Sequence, residues 1–184
     1  MRIIAGDMGS RRLKTPAGTD TRPTADRVKE ALFSILGARV YGARVLDLYA
    51  GSGALALEAL SRGAAEAVLC DKSRDACRVI RENIESLGCQ SRARLLPMQD
   101  TLALNALQKE GQAFSLVFLD PPYRMDTAPI CALLAEYGLV GAGGLVVVEH
   151  SRETPPEIAL PLKLDDRREY GVTGLSFYHL EEEA

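Results

Sequence analysis

Arg44-Val45-Leu46-Asp47-Leu48-Tyr49-Ala50-Gly51-Ser52-Gly53 is a short apolar strand that runs straight into a glycine loop, and a helical segment over 54–62 follows at once. Strand, glycine turn and helix in that order are half of a βαβ unit, the building block of a parallel sheet. The pattern then repeats. Further strands are predicted over 67–71, 94–96, 114–119 and 144–149, with helices over 74–87, 102–109 and 128–137 between them. The helix over 74–87 is the best marked: Cys77, Ile80, Ile84 and Leu87 recur at helical spacing and Gly88 stops it. Beyond residue 160 the character changes. Strands over 163–170 and 175–180 flank Gly171-Val172-Thr173-Gly174, a hairpin with a short glycine-containing loop. Five βα repeats and a hairpin make an α/β fold, a doubly wound seven-stranded sheet with one antiparallel strand near its edge.

Ahead of that core lies a separate small piece. Arg2-Ile3-Ile4-Ala5 and Arg11-Arg12-Leu13-Lys14, with Gly6, Gly9 and Ser10 between them, read as a hairpin. A helix over 25–36 follows, with Val28, Leu32, Ile35 and Leu36 as its apolar stripe, Thr24 as its N-cap and Asp26 in its first turn. The 184 residues are read as a single domain, an extension over 1–37 and a core over 38–184.

The net charge of −3 conceals an asymmetry. Residues 1–29 hold seven Lys/Arg against three acids, a charge of +4, which leaves −7 for the rest of the chain. A basic end on an acidic body suggests a polyanion contact at that end, or else a merely solvated basic hairpin. No apolar run approaches the roughly 20 residues of a membrane span. The N-terminus lacks the long apolar segment of a secretory signal, and the four cysteines contain no C-x-x-C pair. Reduced thiols and a cytoplasmic location are expected. His150 and His179 are isolated, so no metal site is expected.

Three motifs carry chemistry. In the loop, glycines let the backbone approach a ligand that a Cβ would hold off. Gly51-x-Gly53-x-x-Ala56 also fits the dinucleotide fingerprint. However, Asp47 stands inside the strand four residues before Gly51, and no phosphate-binding Lys-Ser/Thr pair follows. A carboxylate there suits a cation, such as a sulfonium with an amino group, better than a pyrophosphate. Asp71 ends the second strand, where nucleotide-binding sheets accept hydrogen bonds from ribose hydroxyls. Asp100 is read as ending the third strand on the same edge, either as an adenine contact or as a helix N-cap. The third motif, Asp120-Pro121-Pro122-Tyr123, follows a strongly apolar strand. Two prolines stiffen the loop and supply no amide donors, which leaves carbonyls and a carboxylate as acceptors beside an aromatic ring. That set suits an amino group on a planar base.

Residues 47–53 and 120–123 resemble the two signature loops of the Rossmann-like amino-methyltransferases, which act on exocyclic amines. Arg22-Pro23-Thr24-x-x-Arg27-Val28-x-Glu30-Ala31-Leu32-Phe33, with Arg2-Ile3-Ile4-Ala5-Gly6 and Arg11-Arg12-Leu13, is similar to the N-terminal signature of the RsmD-type 16S rRNA guanine-N2 methyltransferases. The resemblance covers essentially the whole chain; Tyr49 stands where Phe is common. It implies transfer of a methyl group from S-adenosylmethionine to the N2 amine of a 16S rRNA guanine, naked or within the 30S subunit, by a monomer that needs no metal. The expected cofactor site is Asp47, Tyr49, Ala50, Gly51, Gly53, Asp71, Lys72, Gln99 and Asp100. The expected catalytic loop is Asp120, Pro121, Pro122 and Tyr123. RNA phosphates fall to Arg11, Arg12, Lys14, Arg22 and Arg27.

Other classes remain open at this point. A DNA adenine-N6 or cytosine-N4 methyltransferase shares the 120–123 loop but usually carries a target-recognition insertion for which this chain has no room. A protein-glutamine methyltransferase usually has Asn in place of Asp120. A nicotinamide-dependent oxidoreductase leaves that loop unexplained, and a non-catalytic RNA-binding module has no use for intact motifs.

Overall fold

Seven strands form one sheet: β1 (Arg44–Asp47), β2 (Glu66–Cys70), β3 (Ala93–Leu96), β4 (Phe114–Leu119), β5 (Val140–Ser151), β6 (Leu162–Tyr170) and β7 (Thr173–Leu180). Their order is β3-β2-β1-β4-β5-β7-β6. Strands β1 to β5 are parallel, and β7 inserts antiparallel between β5 and β6. Among the described residues, α1 (Pro23–Leu36) precedes β1, and four α-helices connect the parallel strands: α2 (Ala54–Ser61), α3 (Arg74–Leu87), α4 (Asp100–Lys109) and α5 (Ala128–Glu136). This computed structural model describes residues 1–18, 23–122 and 124–181, without the side chains of Pro23 and Thr24. Arg22, Tyr123 and the expected Thr24 cap lie outside the described residues.

Successive side chains on a strand point to opposite faces, so each buried strand feeds two cores. Val45, Leu69, Phe118 and Val147 pack on α1, α2, α3 and the N-terminal segment. Leu46, Cys70, Val117 and Val148 pack on α4 and α5. Local signals fix the connecting helices. Ser73 Oγ accepts from the Ala76 amide at 3.3 Å to start α3, and Gly88, at φ +69°, ends it. The four cysteines are free and buried. Among the described residues, no helix is long and apolar enough to cross a membrane.

Four local expectations need correction. Strand β5 starts at Val140 rather than 144, because glycines let it run close past β4: a Cβ on Gly144 would meet the Gly141 carbonyl at 2.7 Å and the Phe114 carbonyl at 3.0 Å. The β6–β7 turn is only Gly171-Val172, since Thr173 already pairs with Tyr170. Asp100 does not end β3, which stops at Leu96; it opens α4. On α1, Ile35 is 40% exposed and Phe33 takes its place in the buried stripe with Val28, Leu32 and Leu36.

The N-terminal segment is a hairpin with one antiparallel bridge, Arg2 to Arg12, and it is seated on α2 by a buried polar cluster. Glu58, fully buried on α2, accepts from the Ile4 amide at 2.7 Å and the Ala5 amide at 3.0 Å. It also pairs with Lys29 of α1 at 3.3 Å and with Arg62 at 2.8 Å. Lys29 is 3% exposed and donates to the Arg2 carbonyl, so one cluster joins hairpin, α1 and α2. Ser61 adds a second fastening, accepting from the Met8 amide at 3.0 Å and donating to the Ala5 carbonyl at 2.6 Å. Lys29, part of the basic charge of the sequence, is thus consumed inside the protein.

Removing one partner of a buried ion pair strands the other. Glu58→Ala is expected to lower the unfolding free energy by about 3–5 kcal/mol in urea melts. Adding Lys29→Met in that background is expected to recover part of the loss, because the stranded cation is gone.

Candidate active site

A cavity of about 980 Å³ opens across the carboxyl edge of the sheet, where strand order reverses between β1 and β4. Open α/β sheets hold ligands at this crevice, and the volume is at the upper end of the roughly 300–1,000 Å³ of small-molecule sites. The glycine loop forms one wall. Ala25, Val28, Lys29 and Leu32 of α1 form another, so the extension builds part of the cavity.

Asp47, Tyr49, Ala50, Gly51, Asp71, Lys72, Gln99 and Asp100 all line one half of it. Asp47 is 1% exposed. Its Oδ2 accepts from the Ala56 amide at 3.3 Å, while Oδ1 has no partner among the described residues. Burial, and then the charge of Asp120, push its pKa up to about 7. A buried carboxylate oxygen without a donor, on a cavity wall, is an acceptor for a ligand. Asp71 accepts from the Gly51 amide at 2.9 Å and the Ser73 amide at 2.8 Å, tying the loop to the start of α3. Its remaining lone pairs can take hydroxyls. Gly51, at φ +59°, has nothing within 4 Å of where a Cβ would stand, so the space beside it belongs to the cavity. Gly53 serves packing instead: at φ +81°, its Cβ would meet Leu69 Cδ2 at 2.9 Å. The half-buried Tyr49 hydroxyl donates to Asp100 Oδ2 at 2.7 Å, and burial, then this bond, raise the phenol's pKa. Lys72 and Gln99 stand exposed at the rim. The donor set fits S-adenosylmethionine: an orphaned anionic oxygen for an ammonium group, a carboxylate for ribose, and a loop without a side chain in the way.

The other half holds Asp120, Pro121 and Pro122. Asp120 meets water on the cavity side and is enclosed by protein elsewhere; that desolvation pushes its pKa up to about 6. The Met125 amide bonds the Pro122 carbonyl at 2.9 Å and closes the loop. The Pro121 carbonyl has no partner among the described residues. Sequence reasoning missed Glu149. Leu119 pairs with Val148, so Glu149 stands beside Asp120 in register on β5, and it lines the same cavity. Burial, then the Asp120 charge, push its pKa up to about 8. The available signal was an acid placed directly after the apolar run 145–148.

Of the expected RNA-contacting residues, Arg11, Arg12, Lys14 and Arg27 do not line the cavity. Arg11 donates to the Ser86 carbonyl at the end of α3. Lys14 pairs with Glu82 at 2.8 Å, so a phosphate would have to displace that carboxylate. Arg12 and Arg27 are exposed.

The family profile described as conserved hypothetical protein 95 matches residues 1–179. Ribosomal RNA small subunit methyltransferase D of Escherichia coli is 37% identical over 154 residues, covering 83% of this chain and 76% of that protein. Its namesake in Haemophilus influenzae is 33% identical over 156 residues, covering 84% and 81%. The solved structure of the Escherichia coli protein yhhF superposes with a TM-score of 0.86 at 34% identity, covering 100% of this chain and 99% of that one.

Asp47 and Glu149 hold protons more tightly in the folded chain than unfolded. The stability they contribute is full below the ordinary carboxylate range and is lost as pH rises through about 7 and about 8. Ligand-free protein is therefore expected to melt at a lower temperature at about pH 9 than at about pH 6. Asp47→Asn is expected to shrink that difference in calorimetric scans, and to abolish S-adenosylmethionine binding by titration calorimetry.

Proposed function

The chain belongs to the family described as conserved hypothetical protein 95, the RsmD family of Rossmann-like S-adenosylmethionine-dependent methyltransferases, and from that premise we propose that it methylates the exocyclic N2 amine of a specific guanine in 16S rRNA. The observation that carries the reading is the pairing of the Asp120 carboxylate with an unpartnered Pro121 carbonyl at the cavity wall. Two relatives named as small-subunit rRNA methyltransferases support the RNA class. The substrate is 16S rRNA, naked or within an assembling or assembled 30S subunit, and the enzyme acts as a monomer.

S-adenosylmethionine, when bound, supplies a methyl carbon activated on sulfur. The chain's own residues do the rest. The lone pair of an exocyclic guanine amine is delocalised into the ring, which makes it a weak nucleophile. Asp120 and the Pro121 carbonyl accept the two amine hydrogens and favour a more tetrahedral nitrogen whose lone pair faces the cofactor half of the cavity. Tyr123 stacks on the base, which leaves its helix or loop to reach the pocket. The nitrogen so held would take the methyl group that the bound sulfonium supplies, and its extra proton would leave to solvent. Orientation is the chief contribution, as for any pair of reactants held at near-attack distance. Arg11, Arg12, Lys14, Arg22 and Arg27 position the RNA through its phosphates without reading sequence.

The test is transfer of a tritiated methyl group to rRNA, naked and in ribosomal particles, followed by identification of the modified nucleoside. N2-methylguanosine is expected; label in DNA or protein but not in rRNA overturns the reading. Asp120→Asn is expected to lower kcat by about 100-fold or more, as for loss of one preorganised polar group, with little change in cofactor affinity. The ionised carboxylate is the stronger acceptor, so kcat/KM in the unsubstituted enzyme is expected to fall as pH drops through about 6, and Asp120→Asn to remove that limb. Replacing Arg11 and Arg12 by Glu is expected to weaken RNA binding and flatten its log–log salt slope by about 1.4–1.8, since each lost phosphate contact removes about 0.7–0.9.

A further inference from the structure

Sheet order gives the cavity a direction. Asp71 follows β2, Asp47 ends β1, Asp120 follows β4 and Glu149 lies on β5, so Asp120 stands between a cofactor half and a half bounded by β5 and β7. Glu149 is on the side of Asp120 away from Asp47 and the glycine loop. Among the described residues its carboxyl makes no hydrogen bond and no ion pair, and its strongest charged neighbour is another acid. Two carboxyls set side by side at a cavity wall are costly to ionise together unless a ligand brings donors to both. No group of acids among the described residues is arranged to hold a metal ion.

A base edge supplies such donors in one case. Guanine presents its N2 amine directly beside N1–H, two adjacent donor groups. Adenine and cytosine place a bare ring nitrogen, an acceptor, next to the amine, and that lone pair opposes Glu149 in its ionised form, the form that a guanine N1–H favours. We infer that Glu149 accepts the N1–H of the target guanine while Asp120 accepts from its amine, so that the pair of carboxyls selects guanine. This rests on the guanine-N2 reading proposed above.

The experiment uses a defined target-site RNA in which the target guanine is either kept or replaced by 2-aminopurine. The analogue retains the amine but carries an acceptor at N1. The unsubstituted enzyme is expected to favour guanine by at least about 100-fold in kcat/KM, because a site built for a donor rejects an analogue lacking it. Glu149→Gln is nearly isosteric and can offer either a carbonyl to N1–H or an amide N–H to bare N1. It is expected to collapse the guanine/2-aminopurine ratio by at least about 10-fold, with cofactor affinity by calorimetry unchanged. An unchanged ratio, even if both rates fall, overturns the inference. So does a ratio near unity in the unsubstituted enzyme, a measurement that needs no variant to fold. If the enzyme does not methylate the target guanine at all, it is the proposed function that fails, and the two failures are thereby distinct.

Discussion

A carboxylate leaves water at a cost of several kcal/mol unless donors replace its hydration, and Glu58 meets that condition four times over, with two amides and two cations around one buried side chain. The rest of the molecule's arrangement leans on that satisfaction. The hairpin and α1 pack their apolar residues on one face of the sheet, and the cluster around Glu58 clamps them to α2. Because α2 begins at the glycine loop, the same clamp sets α1 over the loop as a wall of the cavity. The basic extension is therefore structural on its inner side and available to a polyanion only on its outer side.

The carboxyl edge of the sheet shows the opposite condition. Asp47 has an oxygen with no donor among the described residues, burial raises the proton affinity of Asp120, and burial with the Asp120 charge raises that of Glu149. Unsatisfied acids of this kind weaken the empty protein. They cease to be a defect when donors arrive: an ammonium group at Asp47, an amine at Asp120, a ring N–H at Glu149. The contrast between a saturated acid on α2 and unsaturated acids at the strand ends separates scaffold from site on physical grounds alone.

Much of this was legible in the chain. Residues 44–53 carry strand, loop and helix start in contiguous sequence, so local rules suffice to read them. Asp120-Pro121-Pro122 is likewise a local statement about stiffness and acceptors. Boundaries were less legible: the start of β5 depends on how closely glycines let it pass β4, and the brevity of the β6–β7 turn depends on the pairing of Tyr170 with Thr173. Asp100 looked like a strand end because the stretch Pro97-Met98-Gln99-Asp100-Thr101 lies between the apolar residues of β3 and those of α4, and backbone pairing, which decides the matter, is not written in one segment.

The sequence by itself determined the alternation of strands and helices, the glycine loop, and the amine-accepting loop, because each is encoded within about ten consecutive residues whose periodicity and backbone preferences act locally. Only the tertiary structure decided that Lys29 is spent on Glu58, that Lys14 is held by Glu82, that Gly53 answers to Leu69, and that Glu149 stands beside Asp120. Those facts join residues 29 to 68 positions apart in the chain for the ion pairs and strand neighbours. Such meetings are fixed by strand order and register, which arise from burying two faces of one sheet at once and which no single stretch of sequence contains.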